Sequence, residues 1–229
     1  MDQKVVLKSK KERKLSLKQK VALHAIQKQM QMLALKEWLV VIGFSIGGGA
    51  LRFAMQPFPS VEPITFFAIL SGWLFGRKKG FVTGAAAGFL SNFLMFGGQG
   101  IWTPFQMLAW GIAGFLGGFI KDIKPRKNYF LFWAASIIPA ILIATASTAV
   151  FEILMNASWA IVFPFSIIGL IISGLPFLVI HLISNIGFSL MLPFARKFTY
   201  EKGKFNEMEI CRAIADRLDI KRLPAKRDE

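Results

Sequence analysis

Cysteine is almost missing from this chain: Cys211 stands alone, which excludes an internal disulfide and a cysteine-built metal site. Acidic side chains are scarce, 13 Asp and Glu against 28 Lys and Arg, and no Asp falls within a long apolar run. Those runs hold only Arg52, Glu152 and His181 as ionisable groups. The sequence therefore offers no acidic pair for a proton relay, no His/Glu cluster at metal-ligand spacing and no Asp-rich motif for a phosphate-bound metal. A phosphate-binding Walker loop is absent too, because Gly72-Trp73-Leu74-Phe75-Gly76-Arg77-Lys78 lacks both the spacing and the Ser/Thr. Any ATP-driven work then belongs to another chain. Gly43-Phe44-Ser45-Ile46-Gly47 fits the G-x-S-x-G hydrolase pattern, but that motif needs a strand-to-helix elbow and this one sits in an apolar helical run. No catalytic or cofactor-binding motif is therefore expected among these residues. Nor is a secretory signal peptide, since the N-terminus is a long polar arm rather than a short basic stub before an apolar run.

What is present is apolar surface. Hydrophobic residues make up 54% of the chain, with 23 Phe and a mean hydropathy of +0.51, more than a soluble core of this size hides. Lys and Arg are distributed unevenly between the apolar runs. The N-terminal arm (Lys4, Lys8, Lys10, Lys11, Arg13, Lys14, Lys18, Lys20), Arg77-Lys78-Lys79, the stretch Lys121 to Lys127 and the tail from Arg196-Lys197 are basic. Gln56 to Glu62, Gly97 to Thr103 and Glu152 to Ser158 hold no Lys or Arg. Basic short loops stay cytoplasmic, so the alternation predicts an all-α integral membrane protein with six transmembrane helices and both termini in the cytoplasm. The net charge of +15 then reads as attraction to anionic lipid headgroups of the bilayer rather than as nucleic-acid binding. The predicted organisation is a basic cytoplasmic N-terminal helix over 1–37, a six-helix membrane domain over 38–195 and a cytoplasmic tail over 196–229. In that tail Met208, Cys211, Ile214 and Leu218 share one face of a short amphipathic helix.

The first span runs from Trp38 to Met55 and is extended towards the N-terminus by the helix-prone Leu23 to Glu37. The second, Pro63 to Gly76, is short: about fourteen helical residues rise roughly 21 Å against a hydrocarbon core of roughly 30 Å, so either the bilayer thins there or neighbours bury the segment. Phe81 to Phe96, Pro104 to Ile120 and Tyr129 to Phe151 form the next three. The last apolar stretch, Trp159 to Phe194, carries Pro164, Pro176 and Pro193; an outer loop dipping onto the protein (Trp159 to Phe165) followed by one long span keeps the basic tail inside. Glycines recur at every fourth position as Gly72, Gly76, Gly80, Gly84 and Gly88, and as Gly43 with Gly47 and Gly114 with Gly118. Such spacing lets helix backbones approach closely, within one bundle or against a partner.

Polar and aromatic residues gather at the predicted outer face: Arg52, Gln56, Ser60, Glu62 and Thr65 around a loop stiffened by Pro57, Pro59 and Pro63; Asn92; Gln99, Trp102, Thr103, Gln106 and Trp110; and Glu152, Asn156, Ser158 and Trp159. Aromatic walls with a few oriented polar groups build small-molecule pockets, although Trp also gathers at membrane interfaces without binding anything. His181 with Ser184 or Asn185 is compatible with a proton-handling site or with a locally hydrogen-bonded helix histidine.

Between Ile42 and Phe119 these residues resemble the substrate-binding S component of energy-coupling factor (ECF) vitamin transporters. The likeness lies in the Gly-rich first span ending in Leu51-Arg52, the loop Pro57-Phe58-Pro59-Ser60-Val61-Glu62-Pro63, the segment Ile69 to Gly76 followed by Gly80, and Gly97-Gly98-Gln99-Gly100-Ile101-Trp102-Thr103-Pro104-Phe105-Gln106-Met107 leading to Gly111 and Gly114. The resemblance implies a subunit that binds a vitamin or related micronutrient from outside, and an ECF transmembrane coupling subunit and two cytoplasmic ATPases as partners. Substrate-binding residues would come from Arg52, Glu62, Asn92, Gln99, Trp102, Thr103, Gln106, Trp110, Asn156 and Trp159. A small-x-x-x-small stripe on the first span, Gly43 and Gly47 or Ala50 and Ala54, would meet the coupling subunit. The Trp-Thr-Pro loop is similar to that of S components for large rings such as cobalamin; thiamine precursors, pantothenate, riboflavin and queuosine precursors are the other candidates. Arg52 suits a carboxylate or phosphate, whereas Glu62 or Glu152 suits an amine. The competing reading is a membrane scaffold whose Gly-rich faces bind partner helices; it predicts no enclosed outer cavity. A stand-alone ion-coupled carrier is disfavoured by the missing intramembrane acids.

Overall fold

A computed structural model describes residues 16–120, 129–162 and 167–217, and every regular element among them is helical. Helix α1, Leu17–Ala54, starts at a capping box in which Ser16 Oγ accepts from the Gln19 amide and Gln19 Oε1 from the Ser16 amide, satisfying two donors that the first turn leaves unpaired. At 1.5 Å per residue it is about 57 Å long, well beyond a hydrocarbon core of about 30 Å. Leu23 to Glu37 therefore continue the first span without a break.

Helices α2 (Ile64–Phe75), α3 (Arg77–Asn92) and α4 (Trp102–Gly117) form the packed centre. The short α2 is buried along almost its whole length, from Ala68 to Phe75 without interruption, so neighbouring helices rather than lipid surround it. Gly76 joins it to α3 in one residue with φ 92, a left-handed conformation that glycine adopts without a Cβ penalty. The glycine spacing acts here. A Cβ on Gly72 or Gly80 would run into the Gly114 carbonyl, one on Gly84 into the Trp110 backbone, and one on Gly117 into Ile69. The three helices thus meet backbone to backbone, a separation that only glycine allows.

Helix α5, Tyr129–Val162, and α6, Ile167–Ser189, carry Pro139 and Pro176 internally and pack on each other, with α5 also against α4. The expected loop over Trp159 to Phe165 is corrected in part: Trp159 to Val162 form the last turn of α5, because nothing in Glu152 to Ser158 breaks the helix, while residues 163–166 lie outside the described residues. The final apolar stretch also ends as two elements, since α6 stops at Ser189 and α7 (Leu192–Lys202) begins after a two-residue turn, with Pro193 in its first turn. Helices α1, α5 and α6 contain segments long and apolar enough to cross a membrane. Leu39 and Ile46 on α1, Ile138 and Leu142 on α5, and Ile172 and Ile183 on α6 turn outwards, as lipid-facing positions do.

At the basic end, Lys79 pairs with the buried Glu37 and lies 5.4 Å over the Trp38 ring. Arg196 is buried with its guanidinium 4.8 Å from the Trp73 ring, 5.9 Å from Phe132 and 5.7 Å from Tyr200. Helix α8, Glu207–Arg217, docks on the N-terminal half of α1, where Cys211 joins Ile26 and Met30 and Gln29 Nε2 donates to Glu207 Oε2 at 2.9 Å. Burial, and second the Glu207 carboxylate, push the Cys211 thiol pKa up. Of the amphipathic face expected in the tail, Cys211 is inside and Ile214 exposed; Leu218, the N-terminal arm to residue 15 and the basic stretch from Lys121 lie outside the described residues.

Candidate functional site

At the end of the bundle opposite those basic groups, α1 and α3 finish and α4 begins, and a cavity of about 650 Å³ lies among α1, the 55–63 loop, α4, α5 and α6. Its walls are apolar and aromatic: Met55 and Phe58, Met95, Trp110, Phe151 and Met155, and Phe177. Trp110 anchors them. Its ring packs 5.0 Å from Phe151, whose edge meets His181 at 4.9 Å.

Arg52, in the last turn of α1, stacks its guanidinium 4.7 Å from the Trp110 ring. Its Nη1 donates to Ser91 Oγ at 2.6 Å and Asn92 Oδ1 at 2.7 Å. Asn92, 1% exposed, donates in turn from Nδ2 to Gln106 Oε1 at 2.8 Å and Thr103 Oγ1 at 3.1 Å, and Thr103 Oγ1 also accepts the Gly100 amide. A guanidinium clamped by two acceptors and an aromatic face has lost its side-chain freedom before any ligand arrives, which lowers the cost of binding.

Glu62 is buried and serves the backbone first. Its Oε2 accepts the Ile64 amide at 2.8 Å and its Oε1 accepts the Thr65 hydroxyl at 2.6 Å, so it closes the otherwise unpaired start of α2. The same Oε1 lies 3.2 Å from His181 Nε2, and Glu152 Oε1 lies 2.9 Å from His181 Nδ1. Two carboxylates from the first loop and α5 therefore converge on one imidazole of α6, all three lining the cavity. The sequence shows no such cluster, because Glu62 is 119 residues away from His181 in the chain and only the fold brings them together. Among the described residues no group of His, Cys, Asp and Glu is arranged to hold a metal ion.

Of the residues singled out in the sequence, Arg52, Glu62, Gln106, Trp110, Asn156 and Trp159 line the cavity. Asn92 and Thr103 stand behind that lining and orient it. Trp102 stacks on Trp159 at 5.9 Å without entering the lining. Gln99 is placed elsewhere, because its Nε2 is tied back to the Phe89 carbonyl at 2.9 Å, on the exposed side of a turn that needs φ 92 at Gly97. His181 and Glu152, noted in the sequence but not assigned to the binding set, also line the cavity, and Phe151, Phe177 and Gly174 are lining residues that sequence reasoning passed over. His181 and Glu152 carried a signal as ionisable groups in apolar runs; Phe151, Phe177 and Gly174 carried none. On α1, Gly43 and Gly47 have nothing within 4 Å of an added Cβ, and Ala50 and Ala54 are exposed, so these four form an open stripe. Gly48 and Gly49 face inwards onto Phe67 and onto Ala87 and Ser91.

Residues 27–188 match the family described as ECF-type riboflavin transporter, S component. No curated protein and no solved structure matches the chain.

Proposed function

We propose, because the chain belongs to the family of ECF-type riboflavin transporter S components, that its cavity binds riboflavin or a close flavin relative from outside the cell. The chain is a substrate-binding membrane subunit of an ECF transporter, a transporter component and not an enzyme. The observation that carries the ligand assignment is the cavity itself. At about 650 Å³ it lies within the range of roughly 300–1,000 Å³ typical of sites for compact ligands. Its flat Trp110, Phe151 and Phe177 walls suit a tricyclic ring better than a corrin with its appended nucleotide, so a flavin is favoured over a cobalamin-like compound. A cavity of this size with polar groups converging on it also favours a small-molecule site over the scaffold reading.

In the proposed orientation the chain crosses the bilayer six times, with the cavity end outside and the basic end, α7, α8 and both termini in the cytoplasm; the distribution of Lys and Arg supports this. The Gly43, Gly47, Ala50 and Ala54 stripe would receive a helix of the coupling subunit, and the ATPases would supply the energy. Protein purified in mild detergent from cells grown with riboflavin should carry a flavin, identified by its absorbance and by mass spectrometry. Recovery of a different vitamin would overturn the ligand assignment, and an empty protein that fails to bind added riboflavin would overturn the reading of the cavity.

A further inference from the structure

A guanidinium has donors and no acceptor. Arg52 Nη1 therefore turns the Asn92 amide so that Oδ1 faces it, and Asn92 Nδ2 is left pointing at α4. There it donates to Gln106 Oε1, which fixes that oxygen on Asn92 and leaves Nε2 as the end of the amide that can face the cavity Gln106 lines. Ser91 fits the same logic: its hydroxyl proton is spent on the Gly88 carbonyl at 2.9 Å, so its lone pairs face Arg52. Thr103 Oγ1 accepts on the far side. Polarity thus runs in one direction from Arg52 through Asn92 to Gln106. The α1 and α4 side of the cavity presents donors, from Arg52 and Gln106, while α5 presents an acceptor, Glu152, one oxygen of which is held by His181.

From this geometry, and resting on the flavin reading above, we infer that Asn92 is a positioning residue that sets ligand specificity without touching the ligand. By holding Arg52 and Gln106 with their N–H groups outwards, it makes a recognition edge for a planar heterocycle whose rim carries adjacent acceptors, such as ring carbonyl oxygens and an imine nitrogen. Asn92→Asp is nearly isosteric and tests this sharply. The introduced carboxylate still accepts from Arg52, but it offers no donor to Gln106, so the Gln106 amide turns over to donate to it and presents Oε1 to the cavity. One recognition atom is inverted and the cavity shape is unchanged.

The measurement is equilibrium binding of riboflavin, 2-thioriboflavin and 4-thioriboflavin, which replace a rim oxygen by a weaker acceptor, to the full-length detergent-solubilised protein. Wild type is expected to prefer riboflavin over at least one thio compound by about tenfold, the worth of one good hydrogen bond. Asn92→Asp should weaken riboflavin by about tenfold and compress that preference to about threefold or less. In a Gln106→Leu background the same change should lose most of its effect, since residues acting in series are not additive. A thermal melt of each variant separates lost binding from lost folding, and if Asn92→Asp does not fold, Gln106→Leu alone must still compress the thio preference. Unchanged preference in folded Asn92→Asp, or an undiminished effect of it in the Gln106→Leu background, would overturn the inference while leaving flavin binding intact. A wild type that binds none of the three ligands would remove both.

Discussion

His181 holds the cavity wall together at the scale of single residues. Both of its ring nitrogens sit within hydrogen-bonding distance of a carboxylate oxygen, so the wall depends on one side chain joining the first loop to α5 and α6. Replacing one partner in a buried charged cluster leaves the others desolvated and unpaired, at a cost of about 3–5 kcal/mol. Glu62 keeps its helix-capping contacts with Ile64 and Thr65, so the lower end of that range is expected for His181→Leu. The check is unfolding of the purified variant without ligand; a loss near zero would mean that the imidazole carries no charge-pair load. Very little of this was legible in the sequence. Glu62 read as a loop carboxylate open to an amine and His181 as either a proton-handling group beside Ser184 or Asn185 or a locally hydrogen-bonded histidine, because pairing across so long a separation leaves no local pattern. Arg52, Gln106 and Trp110 were legible for a physical reason: a cation, an amide and an indole at the boundary of apolar runs are costly to place there without partners.

Among the helices, periodicity and spacing translated well and boundaries less well. The shortness of α2 and the fourfold glycine spacing pointed to tight backbone packing, which is what surrounds Gly72, Gly80 and Gly114. A Cβ at Gly114 would collide with the Gly80 backbone rather than with a side chain able to swing away, so Gly114→Ala should destabilise by about 1–3 kcal/mol or more. Gly187→Ala, with nothing within 4 Å, should be silent. Detergent size-exclusion profiles with thermal melts of both variants decide this, and equal behaviour of the two would refute the close approach of α2, α3 and α4. The continuation of α5 past Phe151 escaped the sequence reading because Glu152, Asn156 and Ser158 read as a polar outer loop, whereas no glycine or proline there breaks the helix. The docking of α8 on α1 was equally hidden, since an amphipathic face does not name its partner. With Cys211 buried there and its thiol pushed up, maleimide should label the native protein far more slowly than the unfolded chain. Rapid native labelling would show that α8 is not seated.

For the molecule as a whole, basic groups lie at one end and the cavity at the other. Family membership makes the chain a substrate-binding subunit, and the open stripe of Gly43, Gly47, Ala50 and Ala54 lies on a face of α1 that packs nothing among the described residues. On the proposed assembly, Gly47→Leu should leave riboflavin binding within about twofold while abolishing copurification with the coupling subunit, because a bulky side chain prevents close helix approach. Retained copurification would place the partner on another face. Overall charge and hydropathy pointed to membrane and topology, whereas the ligand could be approached only through the cavity that the fold builds.

Titration of purified protein with riboflavin, wild type beside Arg52→Ala, tests the central claim most directly. Saturable one-to-one quenching of flavin fluorescence is predicted for wild type, with affinity reduced by roughly tenfold to a hundredfold when the clamped guanidinium is removed, as for loss of a charged hydrogen bond. Absence of saturable binding to a folded wild type, or equal affinity in the two proteins, would contradict it.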